Sequence, residues 1–130
     1  MSWRSLGVVF LTMQAVGGAA WWALLLGWPA SRAAFRASEA PDVTLLAFGA
    51  ADGLLYAGLS AACARGLARR RRWAWPALLV HAGAASYAAL YCWTLTALTG
   101  GDGWAGAVLM TPSLLVPGVL AWKLRPGETE

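Results

Sequence analysis

Four uninterrupted apolar stretches, residues 6–28, 43–64, 73–98 and 104–122, dominate the chain and limit what it can fold into. They are 23, 22, 26 and 19 residues long. A helix needs roughly 20 apolar residues to cross a hydrocarbon core about 30 Å thick, so each stretch is long enough to span. Together they use most of the 130 residues and leave no room for a soluble catalytic domain, a nucleotide-binding loop or a zinc module. The expected fold is all-α: one four-helix antiparallel membrane domain, because short turns make neighbouring spans antiparallel.

Charge placement supports the same division. Only 12% of residues are charged, and of those sixteen only Asp52 lies inside a stretch. Five of the ten basic residues, Arg65, Arg69, Arg70, Arg71 and Arg72, fall between the second and third spans. With Arg4, Lys123 and Arg125 they put eight basic residues on one side, against Arg32 and Arg36 on the other. Excess Lys and Arg marks short cytoplasmic loops. Both termini are therefore expected in the cytoplasm, in a membrane of the bacterial inner type. The net charge of +4 reads as a topology signal and not as a nucleic-acid surface. The first apolar run exceeds the 7–15 residues of a signal-peptide core, and no small-x-small site follows Trp28, so cleavage is not expected.

Tryptophans mark the ends of the spans. Trp3, Trp28, Trp73, Trp75, Trp104 and Trp122 fall at or just beyond them, where the amphipathic indole prefers the headgroup region. Trp21, Trp22 and Trp93 lie deeper and are available to line a pocket. The loop 29–42 carries Arg32, Arg36, Glu39 and Asp42 and is expected to form a short amphipathic segment, while 99–103 is a tight Gly-rich turn around Asp102. Runs such as Gly17-Gly18-Ala19-Ala20 and Gly49-Ala50-Ala51 allow close helix approach in lipid, within one chain or in a homodimer.

An ionisable residue at mid-bilayer costs on the order of 3 kcal/mol on insertion scales and is a functional-site hypothesis by default. Asp52 stands ten residues from one end of its span and twelve from the other. His81 and Gln14 each lie eight residues into theirs, about 12 Å deep. At about 100° per residue, Asp52, Tyr56, Leu59 and Cys63 share one face of the second span, and Tyr87, Tyr91 and Thr94 share a face of the third. The opposite lean of side chains on antiparallel helices favours Tyr56 facing His81, and Asp52 facing Ser86 or Tyr87, over direct contact between Asp52 and His81. Asp52 and His81 are the candidate acid–base residues. Gln14, Trp22, Tyr56, Tyr87, Tyr91 and Trp93 are the candidate ligand-binding residues, each of which could equally be a packing residue with one satisfied polar group. A single His and two distant cysteines, Cys63 and Cys92, offer no metal or haem site and no internal disulfide, so no cofactor is expected.

Three segments, Leu55-Tyr56-Ala57-Gly58-Leu59-Ser60, residues 83–91, and Thr111-Pro112-Ser113-Leu114-Leu115-Val116-Pro117-Gly118-Val119-Leu120, give the second half of the chain a weak resemblance to the EXPERA group. That group includes the emopamil-binding sterol isomerase and the sigma-2 receptor. Where its first span looks like His followed four residues later by Glu, this chain has Gln14 and Gly18. The resemblance implies a bundle with a polar-centred cavity for a sterol-like ligand. Three functions are then open: a binder or converter of an isoprenoid- or sterol-like molecule, an isomerase or cyclase among them; a non-enzymatic subunit or assembly factor of a larger membrane complex; and a dimeric proton-coupled exporter using Asp52.

Overall fold

A computed structural model describes residues 1–127; the last three residues of the polar end 126–130 lie outside the described part. Its helices are α1 (Trp3–Gly27), α2 (Asp42–Ala68), α3 (Ala74–Leu98) and α4 (Trp104–Lys123), each long and apolar enough to cross a membrane. No strand is present among the described residues. The second helix runs four residues beyond its apolar stretch and takes in Arg65, because the helix continues where the hydrocarbon would end.

Contacts fix an up-and-down order. Along α1 and α2, Gly7 meets Leu67, Gly18 meets Tyr56 and Gly49 meets Trp22, so the residue numbers run in opposite directions. Between α3 and α4, Trp75 Nε1 donates to the Ala121 carbonyl at 2.9 Å, and Ser86 Oγ donates to the Leu114 carbonyl at 3.0 Å. Trp75 is therefore an interhelical tie as well as a span-end aromatic. Close approach of α2 to the start of α3 depends on Gly66, whose added Cβ would stand 2.8 Å from Ala74 Cβ.

The helix ends are closed locally. Ser2 Oγ accepts from the Ser5 N–H at the start of α1. The turn after α2 places Arg70 in the left-handed region, φ 52°, a position usually given to glycine. Loop 29–42 begins as a 3₁₀ turn, Pro29–Ala34, and Asp42 gathers it: Arg32 Nη1 and Arg36 Nε each lie 2.9 Å from its carboxylate. Arg32 also donates to the Leu25 carbonyl in the last turn of α1. The Ser38 N–H donates to Asp102 at 2.6 Å, which fastens this loop to the α3–α4 turn.

Three layers follow one another through the bundle. At the arginine-rich end the core is apolar, built on Leu11, Cys63, Leu67, Leu78 and Leu120. A polar layer comes next, and beyond it an aromatic layer in which Trp21 packs edge-on against both Trp22 and Phe35.

Candidate functional site

The middle layer takes polar residues from all four helices. Gln14 of α1, Ser60 of α2, His81 of α3 and Ser113 of α4 are buried, and Tyr56 of α2 joins them from a half-buried position. One arm of the Gln14 amide lies 2.8 Å from Ser113 Oγ, and Tyr56 Oη lies 2.7 Å from the same hydroxyl. His81 Nε2 lies 3.0 Å from the other arm of the Gln14 amide and 3.2 Å from Ser60 Oγ, while Nδ1 lies 3.2 Å from the Leu55 carbonyl. Ser60 Oγ donates back to the Tyr56 carbonyl at 2.6 Å.

Counting donors fixes the protonation of this layer. The Leu55 carbonyl only accepts, so His81 Nδ1 carries a proton. In a neutral ring Nε2 is then an acceptor, and it must face the nitrogen of the Gln14 amide and not the oxygen. With the amide turned that way, its NH₂ serves His81 Nε2 and Ser60, its oxygen accepts from Ser113, and Ser113 accepts from Tyr56. Every group is paired. An imidazolium requires the opposite amide orientation and leaves one hydroxyl hydrogen, on Tyr56 or Ser113, without an acceptor in the set. The closed arrangement is therefore the neutral one.

Asp52 belongs to the other layer. It opens a π-helical stretch, Asp52–Gly58, whose wider turns break the 100° progression along this span. Asp52 is half-buried beside the Trp22 indole, although Trp22 Nε1 falls short of hydrogen-bond geometry and stands without a partner. Two further buried polar atoms towards this end, Trp21 Nε1 and Thr96 Oγ1, also lack partners. Such orphaned groups each cost about 1–3 kcal/mol, which makes this the unsatisfied layer of the molecule. Beside it an apolar groove of about 410 Å³ runs between α1 and α2, lined by Ala19, Trp22, Leu26, Leu46, Gly49 and Gly53 among others.

The remaining candidates divide. Tyr56 faces His81, with ring centroids 6.1 Å apart. Asp52 and His81 share no hydrogen bond; Asp52 lies beside Trp22, and the Ser86 hydroxyl is committed to the Leu114 carbonyl of α4. Tyr87 is 71% exposed and Tyr91 42%, both on the outer face of α3, where Tyr91 packs on Phe48. Trp93 is also exposed and donates to Thr111 Oγ1 at 3.2 Å. Ser60 and Ser113 were not among the sequence candidates. Depth was a signal for Ser113, nine residues from the end of its stretch, but not for Ser60, which lies only four residues from the end of the stretch 43–64. Cys63 and Cys92 are free thiols, and the described residues contain no cluster of three or more His, Cys, Asp or Glu side chains.

A four-span α-helical bundle with a buried polar network is thus the class of protein defined by fold and site. No family model, curated protein or solved structure matches the chain.

Proposed function

We propose that this protein binds a hydrophobic molecule of isoprenoid or sterol type, entering from the bilayer through the α1–α2 groove, with Asp52 as its polar anchor. The observation that carries this is the double position of Trp22. Its ring forms a wall of the apolar groove, while its unpartnered N–H and the Asp52 carboxylate lie together beside it. A ligand with an apolar body and one hydroxyl or amine would fill the first and partner the second. The EXPERA resemblance supplies the ligand class. Binding is favoured over conversion because His81, the expected proton partner of Asp52, has both ring nitrogens engaged elsewhere. On this reading the termini and the arginine-rich loop face the cytoplasm.

The test is mass spectrometry of molecules extracted from gently purified protein. One hydrophobic species should be enriched over bulk lipid with the native chain and lost with Asp52→Asn. Equal retention by Asp52→Asn, or no enrichment at all, would overturn the proposal.

A second reading, as a subunit of a larger membrane complex, is favoured by Tyr87. Its side chain sits halfway along α3, exposed on the face directed away from the bundle, where a hydroxyl in hydrocarbon needs a partner. That reading predicts co-purification of another membrane protein in mild detergent, lost in Tyr87→Phe.

A further inference from the structure

A second groove, of about 360 Å³, lies between α1 and α2 at the arginine-rich end. Val8, Thr12 and Val16 form one wall, Ala61 and Ala68 form the other, and Arg65 stands among them. Arg4 precedes Val8 by four residues and so continues the same face of α1 beyond the groove. We propose that this groove holds one acyl chain of an anionic phospholipid whose phosphate lies between Arg65 and Arg4.

Charge complementarity selects this occupant. Neither Arg4, Arg65 nor any of the four arginines at 69–72 forms an ion pair among the described residues. The described acidic residues, Glu39, Asp42, Asp52 and Asp102, lie in the loops at the opposite end or in the middle of α2. Among the described residues no acidic side chain compensates the positive charge at this end, and a basic site between spans attracts anionic headgroups. An apolar groove directly adjoining such charge fits a molecule with an acyl chain and a phosphate, whereas free phosphate would leave the groove unused. A topology signal alone requires no groove.

The groove is separate from the Asp52 region, so the proposal stands or falls independently of the ligand proposed there. The full chain is placed in micelles containing equal dioleoyl phosphatidylglycerol and dioleoyl phosphatidylcholine, and retained lipid is measured by native mass spectrometry. Phosphatidylglycerol should be preferred, and Arg65→Gln or Arg4→Gln should each lower that preference about fivefold, the weight of one basic residue near a charged headgroup. Arg65→Lys should keep it. Ala61→Phe, which fills the groove from an exposed position and spares every arginine, should lower retention of phosphatidylglycerol as well. Unchanged preference in both Gln variants would overturn the site. A loss in the Gln variants with full retention in Ala61→Phe would overturn the groove as the seat of the chain. Helical content by circular dichroism, matched to the native chain, separates lost binding from lost folding.

Discussion

His81 Nε2 lies 3.0 Å from the side-chain amide of Gln14, so a single imidazole ties α3 to α1 while its other nitrogen holds the Leu55 carbonyl of α2. Ser113 extends the tie to α4 through Gln14. In hydrocarbon no hydrophobic force holds helices together, and interhelical hydrogen bonds of this kind contribute about 0.6 kcal/mol each, up to roughly 2. Gln14→Leu removes the hub and leaves His81, Ser60 and Ser113 each short of a partner. Its expected cost is about 2–3 kcal/mol, above that of a single bond, because desolvated groups are left unpaired. Reversible unfolding in detergent would measure it; a loss below about 0.5 kcal/mol would show that the network is not cohesive.

The donor count also predicts a spectroscopic state. ¹⁵N NMR of labelled His81 should show a neutral ring with the proton on Nδ1, and the Gln14 NH₂ should be the group nearest Nε2. A proton on Nε2 of a neutral ring would leave Nδ1 facing the Leu55 carbonyl as a second acceptor and would contradict the arrangement.

Much of this architecture is legible in the sequence, because span length and charge position obey the bilayer directly. The first and third spans run in the same direction, and equal depth from the same side brings Gln14 and His81 to one level. The inward or outward direction of each face was not legible. Lipid and helix interface are both apolar, so Tyr87 and Tyr91 could not be told from pocket residues by periodicity, and they lie outward. Ser60 and Ser113 gave no charge or bulk signal. The face shared by Asp52, Tyr56 and Cys63 presupposed a regular α-helix, and the π stretch removed that premise.

Asp52 should trade stability for binding. A half-buried carboxylate beside an indole that fails to hydrogen-bond to it is poorly compensated. Asp52→Leu is expected to raise the unfolding free energy by about 1–3 kcal/mol, the usual cost of a buried polar group without a partner, while abolishing ligand retention. A destabilised Asp52→Leu protein would mean that the carboxylate supports the fold.

Acid should release loop 29–42. The Ser38 backbone N–H donating to Asp102, with help from the Ser38 side chain and nearby Arg36, holds the Asp102 carboxyl below the usual carboxylate range. A group with a depressed folded value contributes stability that is fully present above its unfolded value, about 3.9, and is lost as pH falls through the folded one. Hydrogen exchange at Ser38 should therefore be slow at pH 6 and accelerate, relative to the intrinsic rate, below about pH 4. Asp102→Asn should show fast exchange throughout and no such step. A native protein without the step would detach Asp102 from the loop.

Glycine substitutions can separate the π stretch from the rest of the bundle. A Cβ added at Gly58 would stand 2.9 Å from the Gly53 carbonyl oxygen, a backbone atom that cannot swing aside. Gly83, within α3, has nothing within 4 Å of the same probe position. Alanine is a better helix former than glycine by about 0.8–1.0 kcal/mol, so Gly83→Ala should be neutral or slightly stabilising. Gly58→Ala should instead cost about 1–3 kcal/mol, as overpacking does, because the carbonyl ladder of Asp52–Gly58 must shift to admit the methyl group. Asp52 opens that stretch, so the same variant should also lower ligand retention, with Gly83→Ala retaining the native level. If Gly58→Ala is as stable as Gly83→Ala and binds equally well, the π stretch does not set the position of Asp52.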